Sequence, residues 1–186
     1  MGKVYEGIDE SIRRFIETRH VFFVATAPLE ASGHVNLSPK GLDAFRVLAP
    51  NEVVYLDYVG SGAETIAHVR ENGRITIMFC AFEGPPRKSF RLYGRAEVIE
   101  PRDSSFPELE KLFATDVEPR SFIRVYVDRV ADSCGFGVPL YTAEGARRQL
   151  FDWAERKGRE GLHAYQVDKN ATSIDGMPAL RWVSRD

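Results

Sequence analysis

Three short stretches of this chain carry side chains able to hold an anion or a polar ring edge. In Asn36-Leu37-Ser38-Pro39-Lys40-Gly41, an amide, a hydroxyl, a cation and a glycine fall within six residues. The Lys40 ammonium is a point charge, the Ser38 hydroxyl bonds oxygen, and Gly41 permits close backbone approach. A phosphate or a pyrimidine-like edge would find donors there. Ser-Pro-Lys-Gly is equally a turn sequence. In the stretch from Tyr55-Leu56-Asp57-Tyr58 through Gly60-Ser61-Gly62 to Thr65, a strand runs into a glycine-rich turn that opens a helix. Free N–H groups and the positive end of the helix dipole can face an anion there, and Ser61 and Thr65 add hydroxyls. The pattern is neither a Walker sequence nor a dinucleotide fingerprint, and Gly-Ser-Gly before a helix also serves as cap and hinge. The third stretch, Arg87-Lys88-Ser89-Phe90-Arg91-Leu92-Tyr93-Gly94-Arg95, follows a double-proline turn. Arg91 and Arg95 fall on the polar face of a strand, where solvated charge or salt bridging is the plain alternative to an anion site.

Other chemistry is less favoured. His20, His34, His68 and His163 lack ligand spacing, so no metal site is expected. Cys134 sits in a glycine-rich loop with no adjoining cation to activate it, and it pairs with Cys80 only if the compartment is oxidising; without a secretion signal, both read as free thiols. The 27 acidic and 25 basic residues give a net charge of −2 with no like-charge block, so neither nucleic acid nor anionic lipid is an expected partner. No stretch approaches the roughly 18 apolar residues of a membrane helix, and a cytoplasmic location is expected.

The elements that must position these residues follow from periodicity. Ile8, Ile12, Phe15 and Ile16 share one helical face that Asp9 can cap. HVFFVATA and HVNLSP read as a hairpin around Ala31-Ser32-Gly33, and FRVL with EVVYLDY repeats the arrangement. AETIAHVREN reads as a helix ending near Gly73. RITIMFCAF, apolar on both faces, is placed at the centre of a barrel. Residues 90–98 alternate apolar and polar, with Gly94 marking a bend or bulge. PELEKLFA is a short helix, and SFIRVYVDRVADS the last long strand. Many antiparallel strands with few helices predict a mainly β, closed barrel with flanking helices. From about residue 142 the composition turns helical, with Leu150, Trp153 and Ala154 on one face and EGLHAYQVDKN continuing as a second helix. The tail SIDGMPALRWVSRD is turn-rich. The domain reading is a barrel over residues 1–140 and a helical extension over 141–186, packed on the barrel or on a partner subunit.

Taken in order, the strand ending Ser38-Pro39-Lys40-Gly41, the strand Val53-Val54-Tyr55-Leu56-Asp57, Asn72-Gly73-Arg74, Thr76-Ile77-Met78-Phe79 and Leu92-Tyr93-Gly94-Arg95-Ala96 resemble the pyridoxamine 5′-phosphate oxidase-like, FMN-binding split-barrel proteins over roughly residues 7 to 130. The resemblance implies an antiparallel split β-barrel, a homodimer with FMN at the subunit interface, and an oxidoreductase acting on a small molecule it does not specify. It implies Ser38, Pro39, Lys40, Gly41, Ser61, Gly62 and Thr65 near the phosphate and ribityl chain, and Tyr55, Leu56 and Asp57 on the strand that meets the cofactor. Ser89 falls where the oxidases have a ring-contacting glutamine, and Arg91 and Lys40 would stabilise reduced-flavin charge. No catalytic side chain is assigned. Val35 and Gly62-Ala63 stand where the oxidases have an arginine and an Arg-Lys pair, which removes charge-assisted bonds of about 1.5–3 kcal/mol each. Arg87, Lys88 and Arg91 are the available substitutes. The C-terminal segment does not match the oxidases' arginine- and histidine-containing substrate motif. A non-catalytic flavin carrier, a deazaflavin-dependent reductase and an empty structural dimer are the alternatives.

Overall fold

A computed structural model describes residues 2–183. Strand β1 (Val4–Tyr5) leads into helix α1 (Glu10–Glu17), whose first turn is capped by Asp9 Oδ1 accepting from the Ile12 amide at 2.8 Å. The helix buries Ile12, Phe15 and Ile16, the face its periodicity marks. Two hairpins follow, β2 (Phe22–Thr26) with β3 (Asn36–Lys40), and β4 (Phe45–Ala49) with β5 (Glu52–Asp57). Helix α2 (Glu64–Asn72) stops at Gly73, whose φ of 72° is the left-handed C-terminal conformation glycine takes without strain. Strands β6 (Arg74–Cys80) and β7 (Lys88–Ile99), helix α3 (Phe106–Glu110) and strand β8 (Ser121–Cys134) complete the barrel.

All pairings are antiparallel, in the order β3-β2-β6-β7-β8-β5-β4 with β1 added to β8. β7 is the middle strand of that order, and β6 lies one strand away, between β2 and β7, with Ile75, Ile77, Phe79 and Cys80 buried. β7 and β8 slip register at Tyr93/Gly94, the bulge the glycine marks. A Cβ at Gly94 would come within 2.2 Å of the Tyr126 carbonyl oxygen, so the strands approach too closely there for any side chain. Across the interior, Phe45 meets Phe22 at 5.1 Å and Phe79 at 4.9 Å between ring centroids, so residues from opposite ends of the sheet fill one core. A second core on the other side of β5 packs Val54 and Leu56 against Phe106, Leu109, Phe113 and Phe122.

Helix α4 (Gln149–Lys169) is two helices joined at Gly158 (φ 63°, ψ 173°), as the composition predicts. It starts at Gln149 rather than near residue 142, because Gly145 sits at φ 131° and the preceding residues are exposed coil. Ala154 is buried while Leu150 and Trp153 are half-buried. The turn-rich tail is ordered by docking: Ala179, Leu180 and Val183 enter the barrel core, Arg70 donates to the Ala179 carbonyl at 2.7 Å, and Glu100 accepts from Arg70 and from the Arg181 amide. The final three residues of that tail, numbers 184–186, lie outside the described residues.

Candidate functional site

The strand end at Lys40 and the strand end at Asp57 come together although β3 and β5 lie near opposite ends of the sheet. Lys40 Nζ donates to Asp57 Oδ1 at 2.9 Å. Arg120, at the foot of β8, donates Nε and Nη2 to Asp57 Oδ2 at 2.9 and 2.6 Å, and Ser121 Oγ adds a bond at 3.2 Å. Asp57 and Arg120 are 1% and 4% exposed. Burial pushes the Asp57 carboxyl up, but Arg120 and Lys40 outweigh it and hold its pKa at about 2. Arg120 Nη1 also donates to the Gly62 carbonyl at 2.8 Å, tying the Gly60-Ser61-Gly62 turn to the pair.

Beside it runs a chain of neutral polar groups. Ser38 Oγ donates to Asn36 Oδ1, and Asn36 Nδ2 donates to Thr26 and Thr65 hydroxyls at 3.2 and 3.0 Å. Thr26 Oγ1 lies 3.0 Å from His68 Nδ1. His68 is fully buried, and its pKa is lowered by that burial. Tyr55 and Leu56 are enclosed, Tyr55 in the barrel core and Leu56 in the second core; burial, with Asp57 nearby, pushes the Tyr55 phenol well above its usual range.

Register divides the remaining candidates. Lys40, Phe22, Phe79 and Phe90 form one cross-strand row on the interior face, and Pro39, Phe23, Met78 and Arg91 the next row, on the outer face. Ser89 belongs to the outer face too, beside Cys80, and Arg91 donates to Ser133 Oγ at 2.8 Å. The fold therefore gathers Ser38, Lys40, Tyr55, Asp57 and Thr65 on the inside and sets Ser89 and Arg91 on the opposite side of the same sheet.

Pro39, Lys40 and Gly41 also border a cleft of about 1190 Å³. Its apolar floor includes Phe22, Phe45 and Phe79, and its walls come from the end of α1, the β3–β4 loop and the coil before α4, whose Phe151 packs edge-on to Tyr58. The sequence reading missed Arg120 and this cleft. An aspartate inside the apolar run EVVYLDY was the available signal for Arg120, since a buried carboxylate requires a cation.

Residues 8–134 match the family described as pyridoxamine 5′-phosphate oxidase. A pyridoxamine 5′-phosphate oxidase family protein of Aspergillus flavus, ustO, is 39% identical, with 98% of this chain and 79% of that protein covered. The chain belongs to the pyridoxamine 5′-phosphate oxidase family. The fold is shared with solved structures at lower identity. HupZ of Group A Streptococcus is 21% identical with a TM-score of 0.54, covering 66% of this chain and 91% of that one. An FMN-binding protein from Syntrophomonas wolfei is 14% identical with a TM-score of 0.50, covering 70% and 85%.

The family fold implies a flavin, and the residues present answer differently at two places. The Ser61–Thr65 turn does not fit a phosphate. Glu64 sits at the start of α2, and the chain's own tail bonds beside the turn, whose Ser61 and Gly62 stay exposed: Asn170 Nδ2 donates to the Gly60 carbonyl at 2.9 Å, and the Ile174 amide to Glu64 Oε1 at 3.1 Å. A dianion there would meet the Glu64 carboxylate, while the nearby cations Lys40 and Arg120 are committed to Asp57. The cleft bordered by Lys40 leaves room for a flat ring against Phe45, with Phe22 and Phe79 almost fully buried behind it, and it is larger than the roughly 300–1,000 Å³ of common ligand pockets.

Proposed function

We propose that the protein is a flavin-binding oxidoreductase acting on a small organic molecule, working as a homodimer with FMN as the favoured cofactor. The observation that carries this reading is the Pro39-Lys40-Gly41 strand end opening onto an aromatic-floored cleft in a chain of this family. A bound flavin would supply the hydride chemistry itself. This chain's part is to seat the ring, to exclude water with Phe22, Phe45 and Phe79, and to hold Lys40 as a fixed positive charge at the cleft border. Lys40 is anchored by Asp57 and keeps its side chain 23% exposed, so it can balance negative charge without moving. A second copy would cover the outer sheet face, where Val35 and Leu37 are 74% and 66% exposed beside Phe23 and Met78.

Purified full-length protein tests the reading through its visible spectrum, followed by heat release and identification of any chromophore. Flavin at about one per chain, with turnover of NADH or NADPH, supports it. A protein that is colourless and takes up neither FMN nor a deazaflavin overturns it. A non-catalytic carrier is the second reading, favoured because the cleft's His20, Glu17 and Asp43 are exposed and no buried acid–base group among the described residues lines it. Bound flavin without turnover by any of these donors selects the carrier.

A further inference from the structure

Helix α4 folds back on itself and brings together two aromatic side chains that a straight helix would hold apart. An unbroken helix, rising about 1.5 Å per residue, would set Trp153 and Tyr165 about 18 Å apart along its axis. Instead Gly158, at φ 63° and ψ 173°, turns the chain between them, a backbone state that is essentially glycine's alone. The two ring centroids then lie 5.1 Å apart with the ring planes at 79°. Rings set nearly at a right angle leave a corner lined by π faces, and Lys157, the residue before the turn, fills it. Its ammonium stands over both rings, 5.6 Å from the Trp153 centroid and 5.5 Å from that of Tyr165.

The way this lysine is held points to a ligand. Among the described residues Lys157 has neither an ion-pair partner nor a hydrogen-bond acceptor, so the two rings are the groups that meet its charge. A primary ammonium has three N–H donors and is strongly hydrated, and these donors are left to water, since Lys157 is exposed while both rings are half-buried. A corner of two π faces without an acceptor suits better a cation that has no N–H groups and spreads its charge over methyls. Such a cation gives up less hydration on entering and leaves no donor unpaired. The corner lies in the C-terminal extension, beyond the residues 8–134 that match the family.

We propose that Trp153 and Tyr165 form a receptor for a trimethylammonium group, with Lys157 as the built-in occupant that swings out into water when the ligand enters. The proposal does not depend on the flavin reading. The group has two sources, a free solute such as choline or the headgroup of phosphatidylcholine. Saturation-transfer NMR on the N-methyl signal of choline with the full chain tests the first, and co-sedimentation with phosphatidylcholine vesicles tests the second. The control probe is the neutral tert-butyl analogue of choline, which keeps the shape and replaces the charged nitrogen with carbon. The variants are Lys157→Gln, Tyr165→Phe, Tyr165→Leu and Trp153→Leu. Lys157 is exposed, so its replacement leaves the fold intact.

The expected result is saturation transfer to choline in wild type and a dissociation constant about two- to thirtyfold lower in Lys157→Gln, where the internal competitor is gone. Binding should persist in Tyr165→Phe, which keeps the ring, and vanish in Tyr165→Leu and Trp153→Leu, and the neutral analogue should not bind. Capture on phosphatidylcholine vesicles with the same dependence on the rings, and without choline binding, keeps the receptor and assigns it to a lipid headgroup. Equal transfer to choline and to its neutral analogue overturns the proposal, and so does failure of Lys157→Gln to bind either choline or the vesicles. Those two outcomes need no ring variant, so they decide the question even where Trp153→Leu or Tyr165→Leu fails to fold.

Discussion

Replacing Asp57 with asparagine keeps the side-chain shape and removes the one negative charge between Lys40 and Arg120. Lys40 can turn toward water, but Arg120 at 4% exposure cannot, and its Nε and Nη2 both end on the same carboxylate oxygen. Breaking a buried pair by removing one partner costs about 3–5 kcal/mol. That is a large part of the roughly 5–15 kcal/mol by which a domain is stable. The carboxylate's own titration gives an independent figure. Its pKa of about 2, against an ordinary 3.8, corresponds to about 2.4 kcal/mol. Because the folded value is the lower one, that stability is fully present above about pH 5 and is lost as pH falls through about 4 toward 2. Urea unfolding of wild type and Asp57→Asn at pH 7 measures the first quantity, and the same melts down to pH 3 the second. The variant should lose about 3–5 kcal/mol at pH 7, and its acid limb should be shallower than that of wild type. A loss under about 1 kcal/mol, with parallel acid limbs, would refute the argument that Arg120 depends on this charge.

Gly94→Ala puts a methyl against the Tyr126 carbonyl at 2.2 Å, with backbone rather than a flexible side chain in the way, and should cost about 1–3 kcal/mol or more in a thermal melt; an unchanged Tm would mean the bulge is not the close approach described. Leu180→Ala removes a side chain only 1% exposed from the barrel core and should cost about 2–5 kcal/mol by urea titration, whereas a loss below about 1 kcal/mol would show that the tail does not dock.

The legible parts of the fold were those with a local signal. The α1 stripe, the Asp9 cap, the Gly73 stop and the Gly94 bulge each announce themselves within a few residues, and each holds. The break between the two helices after residue 148 was readable from composition, but its start was not, because Gly145 and the arginines that follow look helical until their exposure is known. The middle strand of the sheet was not legible for a similar reason. An apolar run reports burial, and β6 and β7 are both interior, so only the pairing order tells which is the middle.

The site was harder to read because its parts come together through contacts that leave no period in the sequence. Lys40 and Asp57 were each singled out, yet nothing in SPKG or YLDY says that one neutralises the other, and Arg120 arrives from a residue 63 positions later than Asp57. The same holds for the tail. SIDGMPALRWVSRD has the composition of a loose end, and it is held by Asn170, Glu64, Arg70 and Glu100, four polar anchors spread over the chain, around an apolar pair, Ala179 and Leu180, too short to signal an element. A glycine-rich turn that opens a helix can cradle an anion only if its N–H groups stay free. Here Glu64 opens the helix, and the tail bonds the Gly60 carbonyl and the Glu64 carboxylate beside the turn, contacts that no spacing in the sequence shows.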